Sequence, residues 1–271
     1  MLSNKLALVT GAASGIGLEV SKLFAREGAV IVAVDLTENV HNVLAELEVT
    51  KDKSTKHSAY MCDVSNSENV KELFKKIKTD YPKQKSPNVV VNCAGVLVNK
   101  PFLEMTEALL DRALNINLKG TFHVSQAACR ELAANFDSST QVDSLKTNGS
   151  IINIASLSAR MASQGSSAYS MSKAGVEALS RSIAKEMGIF KIRCNTISPG
   201  YTLTPMNRAD PVSVREVIAS KNPLQRCAEP KEIAQLCLFL ASDMSSYMTG
   251  AYIASDGGLS IALNSRDQTA K

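Results

Sequence analysis

Apolar runs of strand length alternate with amphipathic runs of helix length from one end of this 271-residue chain to the other. That rhythm marks βα units, which lay parallel strands side by side and cover both faces of the sheet with helices. Seven runs read as strands: KLALVT, AVIVAVD, HSAYMCD, NVVVNCAG, GSIINIAS, IRCNTISPG and AYIASDGG. The first, second, fourth and sixth lack the polar alternation of a half-exposed strand, as expected of central strands buried on both faces. The expected fold class is α/β: one doubly wound domain over residues 1–271, a seven-stranded parallel sheet with helices on both faces.

Between the strands, Gly15 to Glu27 places Ile16, Val20, Leu23 and Phe24 on one helical face, and Glu107 to Ala134 and Ala168 to Met187 read as the two longest helices. These two carry apolar residues on more than one face, so self-association through them is expected. The helix Lys231 to Ser242 and the final strand would form a second interface. Two segments interrupt the rhythm. Residues 135–148 read as a polar insertion. Residues 204–228 contain several prolines together with Met206, Val212, Val214, Val217, Ile218 and Leu224, and read as a lid with enough apolar surface to cover a hydrophobic substrate.

Composition narrows the function classes. With 45% hydrophobic residues spread along its length, the chain can bury a sizeable core, which excludes a disordered or fibrous protein. A net charge of +4 without a basic stripe argues against a nucleic-acid partner. The six cysteines are widely spaced and mostly lie in apolar runs, so they read as core thiols in a reducing compartment. His41, His57 and His123 are too few and scattered to suggest a metal site. No run approaches the roughly 18 to 20 apolar residues of a membrane span. The first strand begins near Lys5, which leaves no room before it for a cleavable signal. A soluble, intracellular protein is expected.

Directly after the first strand, TGAASGIG (Thr10 to Gly17) runs into the first helix. A strand-to-helix turn aims backbone N–H groups and the positive helix end at one point, and Gly11, Gly15 and Gly17 let the backbone approach an anion such as a pyrophosphate. The spacing G-x-x-x-G-x-G differs from the G-x-G-x-x-G fingerprint, and alone would equally fit a plain glycine-rich turn. Eighteen residues after Gly17, however, the second strand ends at Asp35. A carboxylate there accepts hydrogen bonds from the adenosine ribose of a dinucleotide and repels a 2′-phosphate, and neither Ser14 nor Leu36 offers a cation for one. NAD is expected rather than NADP.

Farther along, YSMSK (Tyr169 to Lys173) falls in one of the long helical stretches, where an i, i+4 pair shares a face. A neighbouring ammonium stabilises a phenolate and lowers the pKa of a tyrosine toward the range useful for acid/base work. Alone, the pair equally fits a solvated surface contact.

TGAASGIG, NCAG, YSMSK and SPG, in that order, resemble the short-chain dehydrogenase/reductase family across essentially the whole chain. The resemblance implies a Rossmann fold and an NAD(H)-dependent oxidoreductase acting on CH–OH groups. It makes Tyr169 the general acid/base, Lys173 the residue that lowers its pKa and holds the nicotinamide ribose, and Ser156, thirteen residues before Tyr169, the hydrogen-bond donor to the reacting oxygen. Asn117 would complete a proton relay through water to Lys173. For the cofactor it implies Gly11, Ser14, Gly15, Ile16 and Gly17 at the pyrophosphate, Asp35 and Leu36 at the ribose, and Asp63 and Val64 at the adenine. Asn92, Ala94 and Gly95 would form the wall beneath it, and Pro199, Gly200, Thr202 and Thr204 the nicotinamide side. The wall reads Asn92-Cys93-Ala94-Gly95 where many members have two asparagines, so Cys93 is expected to cost one structural hydrogen bond.

Within the family, VVVNCAGV, NLKGTFHVSQAA and IRCNTISPGY are similar to 17β-hydroxysteroid dehydrogenases of type 8 and to 3-oxoacyl carrier-protein reductases. That likeness implies a small-molecule substrate, a 17β-hydroxysteroid such as estradiol or a 3-hydroxyacyl thioester. It further implies a homotetramer or a hetero-oligomer with a related reductase, placed in the mitochondrial matrix or the cytoplasm. A polyol or sugar dehydrogenase on the same scaffold is the rival reading. An extended epimerase would need a larger substrate domain, and a non-catalytic dinucleotide sensor would have no need of Ser156, Tyr169 and Lys173 together.

Overall fold

The computed structural model describes residues 1–47, 56–84, 86–136, 147–161 and 163–261. Most of the polar insertion expected at 135–148 lies outside them. In chain order the main elements are β1 (Leu6–Thr10), α1 (Gly15–Arg26), β2 (Val30–Asp35), β3 (Ser58–Met61), α2 (Ser67–Asp80), β4 (Val89–Asn92), α3 (Glu107–Ala113), α4 (Gly120–Ala134), β5 (Gly149–Ile154), α5 (Ser167–Met187), β6 (Ile192–Pro199), α6 (Val212–Lys221), α7 (Pro230–Ala241) and β7 (Tyr252–Ser255). The strands form one parallel sheet in the order β3-β2-β1-β4-β5-β6-β7. Chain direction across the sheet reverses between β1 and β4, which opens a crevice at their carboxyl ends.

Alternation along the strands divides the core in two. Ala7, Val9, Ile31, Ala33, Val89 and Val91 point to the side of α1 and α7, where Val20, Phe24, Ile233 and Leu240 meet them. Their neighbours Leu6, Leu8, Val30, Val32 and Val90 point to the opposite side, against Leu73, Phe74 and Ile77 of α2 and Val124 and Leu132 of α4. Each fully buried side chain of this size contributes roughly 1.5–3 kcal/mol, so the two layers fix the strand register. β1, β2, β4, β5 and β6 are buried on both faces almost throughout, whereas the edge strands β3 and β7 are only partly covered.

The expected long helix Glu107 to Ala134 forms with one irregularity. Leu114–Lys119, between α3 and α4, is a π turn, and Asn117 sits in its middle. Asn66 caps α2 by accepting from the amides of Glu68 and Asn69, a contact worth about 1 kcal/mol. No described helix is long and apolar enough to cross a membrane.

Candidate active site

A cleft of about 660 Å³ lies along the carboxyl ends of β1, β2, β4, β5 and β6. At its floor Gly11 and Gly15 take left-handed backbone conformations, with φ of 67° and 56°, which glycine adopts without steric cost. A Cβ on Gly11 would stand 2.9 Å from Ala94, and one on Gly17 would stand 2.2 Å from the Gly11 carbonyl oxygen. The turn therefore closes on itself and on the loop after β4. Ser14 precedes α1 without a side-chain cap, and the first turn of α1 carries no acidic residue. Amides and a positive helix end are thus left facing the cleft, the environment a pyrophosphate fits.

Asp35 ends β2 on the cleft. Its Oδ2 accepts from the Ala13 amide at 3.1 Å and its Oδ1 from the amide and hydroxyl of Thr37, both at 3.2 Å. The carboxylate is held by the turn it follows, with lone pairs left for a ribose. Among the residues lining the cleft, Lys173 is the one cation, and it lies at the far end from Asp35. The residues present fit a nicotinamide dinucleotide.

At that far end the expected catalytic groups come together. Tyr169 and Lys173 share a face of α5, with the ammonium 5.9 Å from the ring centre. Lys173 is 5% exposed, and its Nζ donates to the Ile154 carbonyl at 2.7 Å, which ties α5 to the end of β5. Ser156 follows two residues later, and its Oγ accepts from the Ser158 amide at 3.1 Å. That contact occupies one side of the oxygen, and the hydroxyl stands near enough to Tyr169 to favour its ionised form.

Burial sets the electrostatics of both groups in the protein alone. Burial pushes the Tyr169 phenol above its usual range, and the Ser156 contact brings it only part of the way back. Burial likewise drives Lys173 down, to about 8. A shared low-dielectric setting disfavours the charged form of both groups, so the lysine by itself does not lower the phenol.

Gly17, Asn92 and Asn117 stand behind the cleft wall, whereas the other positions expected at the site line it. Asn92 is buried and donates to Ser125 and Asn153, and its Oδ1 has no partner among the described residues. Asn117 is fully buried. Its side-chain oxygen accepts from the Val96 amide at 2.8 Å, and its nitrogen donates to the Val96 carbonyl and to Ser172. Both side-chain protons are engaged inside the protein, and Asn117 pins the loop after β4 to the neighbour of Lys173. Cys93 lines the cleft beside Ala94. Its amide and that of Ala94 both donate to Thr10 Oγ1 at 3.1 Å, and burial pushes its thiol to about 11. The role of Thr10 was readable only as part of the phosphate turn, because its partners lie more than eighty residues away.

The lid differs most from expectation. Met206 and Ile218 face the cleft, but Val212, Val214, Val217 and Leu224 are exposed to solvent. The segment is anchored at both ends: Thr202 bridges to Ala228, the Asn222 side-chain Nδ2 donates to the Asp256 carbonyl and the Leu224 backbone amide to the Gly257 carbonyl. No group of histidines, cysteines and carboxylates suited to a metal occurs among the described residues.

Comparison with known proteins agrees with this geometry. The family model described as Enoyl-(Acyl carrier protein) reductase matches residues 11–260. The chain is 38% identical over 261 residues to a 3-oxoacyl-(acyl-carrier-protein) reductase of Thermotoga maritima, covering 96% of this chain and 99% of that one. It is 37% identical over 263 residues to a rat (3R)-3-hydroxyacyl-CoA dehydrogenase, covering 95% and 97%. Among solved structures, a gluconate dehydrogenase candidate from Agrobacterium tumefaciens superposes with a TM-score of 0.85 at 27% identity, covering 97% of this chain and 98% of that one. A crevice at the sheet's switch point, built for a nicotinamide dinucleotide and closed by a serine, a tyrosine and a buried lysine, is thus matched end to end by relatives of one kind: this chain is an oxidoreductase of the short-chain dehydrogenase/reductase family.

Proposed function

We propose that the protein interconverts a 3-hydroxyacyl thioester and its 3-oxo form with NAD(H). One observation carries the reading: beyond Tyr169 the cleft is walled by Val96, Leu97, Leu157, Met161, Met206, Ile218 and Leu259, and the one carboxylate on that side, Asp210, is paired with the Tyr201 hydroxyl. Such a wall suits an acyl chain better than a sugar acid, whose carboxylate would find no cation. The curated relatives named for 3-oxoacyl and 3-hydroxyacyl substrates support the same class. A 17β-hydroxysteroid would fill the same apolar wall and is the second reading.

The bound dinucleotide supplies the hydride acceptor. In the oxidative direction Tyr169 takes the proton from the alcohol oxygen, and Ser156 donates a hydrogen bond to that oxygen as it becomes a carbonyl. Lys173, oriented by Ile154, hydrogen-bonds the nicotinamide ribose. Its charge and that of the oxidised ring together bring the phenol toward its working range. Asn117 keeps the loop after β4 and Ser172 in register with them. At the other end Asp35 accepts from the ribose hydroxyls, which favours NAD. The rim around Asp63 and Val64 receives the adenine, and Pro199, Gly200, Thr202 and Thr204 flank the nicotinamide. We read residues 1–271 as one domain. The assembly is read as a homotetramer through α4 and α5, whose Phe122 and Met171 are exposed; light scattering tests that reading.

The deciding assay offers purified protein both enantiomers of 3-hydroxybutyryl-CoA, acetoacetyl-CoA, estradiol and gluconate, with NAD and NADP compared throughout. Turnover of the CoA esters with NAD is expected. Preference for gluconate, or for NADP, would overturn the reading.

A further inference from the structure

Ser156 begins a short 3-10 turn, Leu157–Ala159, that is fixed at its near end by β5 and by the Ser158 amide. Its far end is Arg160, whose side chain is half exposed yet held on two sides. The Arg160 Nε donates to Glu177 Oε2 at 3.0 Å, and the guanidinium carbon lies 3.4 Å from the centre of the Tyr252 ring in β7. Glu177 sits on α5 one turn beyond Lys173 and is 6% exposed. Its other oxygen accepts from Ser198, the residue before Pro199, at 3.3 Å. One buried carboxylate therefore joins three separate segments: the turn that carries Ser156, the helix that carries Tyr169 and Lys173, and the end of β6 where the nicotinamide side begins.

A buried carboxylate is costly unless it is paired and hydrogen-bonded. None of these contacts reaches the phosphate cradle or is needed to close the core. Met161, the next residue, lines the substrate side of the cleft, so the same anchor sets that wall.

We propose that Glu177 and Arg160 are positioning residues that hold the Ser156 turn at the distance from Tyr169 required for proton transfer. Their action is indirect: neither side chain lines the cleft. Through these contacts the turn that carries Ser156 keeps its place against α5. This rests on the catalytic role proposed for Ser156, so the test includes a variant of that residue.

The informative variant is the double substitution Arg160→Met with Glu177→Gln, which cuts the link without leaving a buried charge unpaired. Arg160→Lys serves as the conservative rescue, and Ser156→Ala as the reference. With acetoacetyl-CoA and NADH, the double variant should lose about ten- to a hundredfold in kcat, the scale of a misplacement near 1 Å. Its NADH affinity, read by fluorescence, should stay within about twofold, and the deuterium isotope effect on kcat should rise as hydride transfer becomes slower. Arg160→Lys should restore most of the rate. A double variant that keeps its kcat and only melts earlier would overturn the proposal and leave the pair a structural tie. Full activity in Ser156→Ala would instead remove the catalytic reading on which it rests. A crystal structure of the double variant decides independently of any substrate: Ser156 Oγ displaced from Tyr169 supports the proposal, and an unmoved Ser156 sinks it.

Discussion

Replacing Lys173 by methionine is expected to abolish turnover and, in dinucleotide-free protein at neutral pH, to stabilise the fold. Burial holds this ammonium at about 8, against an ordinary 10.5, and it has no carboxylate partner among the described ion pairs. At about 1.36 kcal/mol per pKa unit the depression represents a penalty of about 3 kcal/mol at pH 7. Removing the side chain also removes the donor to the Ile154 carbonyl, which costs about 1–2 kcal/mol. The variant should therefore lead by about 1–2 kcal/mol. Because the folded pKa is the lower one, the unfolded chain binds more protons between about pH 8 and pH 10.5, and wild-type stability rises across that window. The variant's lead should shrink by about 2 kcal/mol between about pH 7 and pH 9.5. Urea unfolding of both proteins at the two pH values measures this directly. A difference that does not change with pH would refute the idea that Lys173 is a desolvated cation.

Three further outcomes are expected. Tyr169→Phe should lower kcat by about 100- to 10,000-fold while NADH binding, followed by fluorescence, stays within a few-fold. Asp35→Ala should raise the KM for NAD and narrow its advantage over NADP, and an unchanged cofactor ratio would mean that another group reads the ribose. Arg193→Met should cost about 3 kcal/mol in chemical denaturation at little cost to kcat, because this buried guanidinium donates to the carbonyls of Leu240 and Ser242 at the end of α7 and of Met248 in the segment leading to β7.

The sheet was legible because parallel strands buried on both faces leave unbroken apolar runs, as in VIVAVD and NVVVN. The cofactor cradle was legible because its constraint is local: Gly11, Gly15 and Gly17 lie within one turn, and Asp35 ends the next strand. Other parts depend on contacts between distant segments. Arg160, Glu177 and Ser198 each look ordinary, and only the fold brings them together. The orientation of the lid was not legible because hydrophobic content does not reveal direction, and most of the apolar side chains of α6 point to water. The burial of Tyr169 and Lys173 was not legible because i, i+4 spacing gives proximity but not depth, and burial acts on both partners.

The π turn at Leu114–Lys119 has a consequence for how this scaffold can change. A π turn carries one residue more than the α turn it replaces, so α3 and α4 together contain a surplus residue at the point where Asn117 meets Val96. Deleting a single residue there would regularise the helix and improve its hydrogen bonding. It would also remove the wide turn that sets Asn117 against Val96, drawing Asn117 away from the loop it pins. Single-residue deletions, usually the most damaging edits a helix can receive, should at this one place yield a protein that folds well and does nothing. A length-variant library selected only for expression would accumulate such chains, and one selected for turnover would discard them.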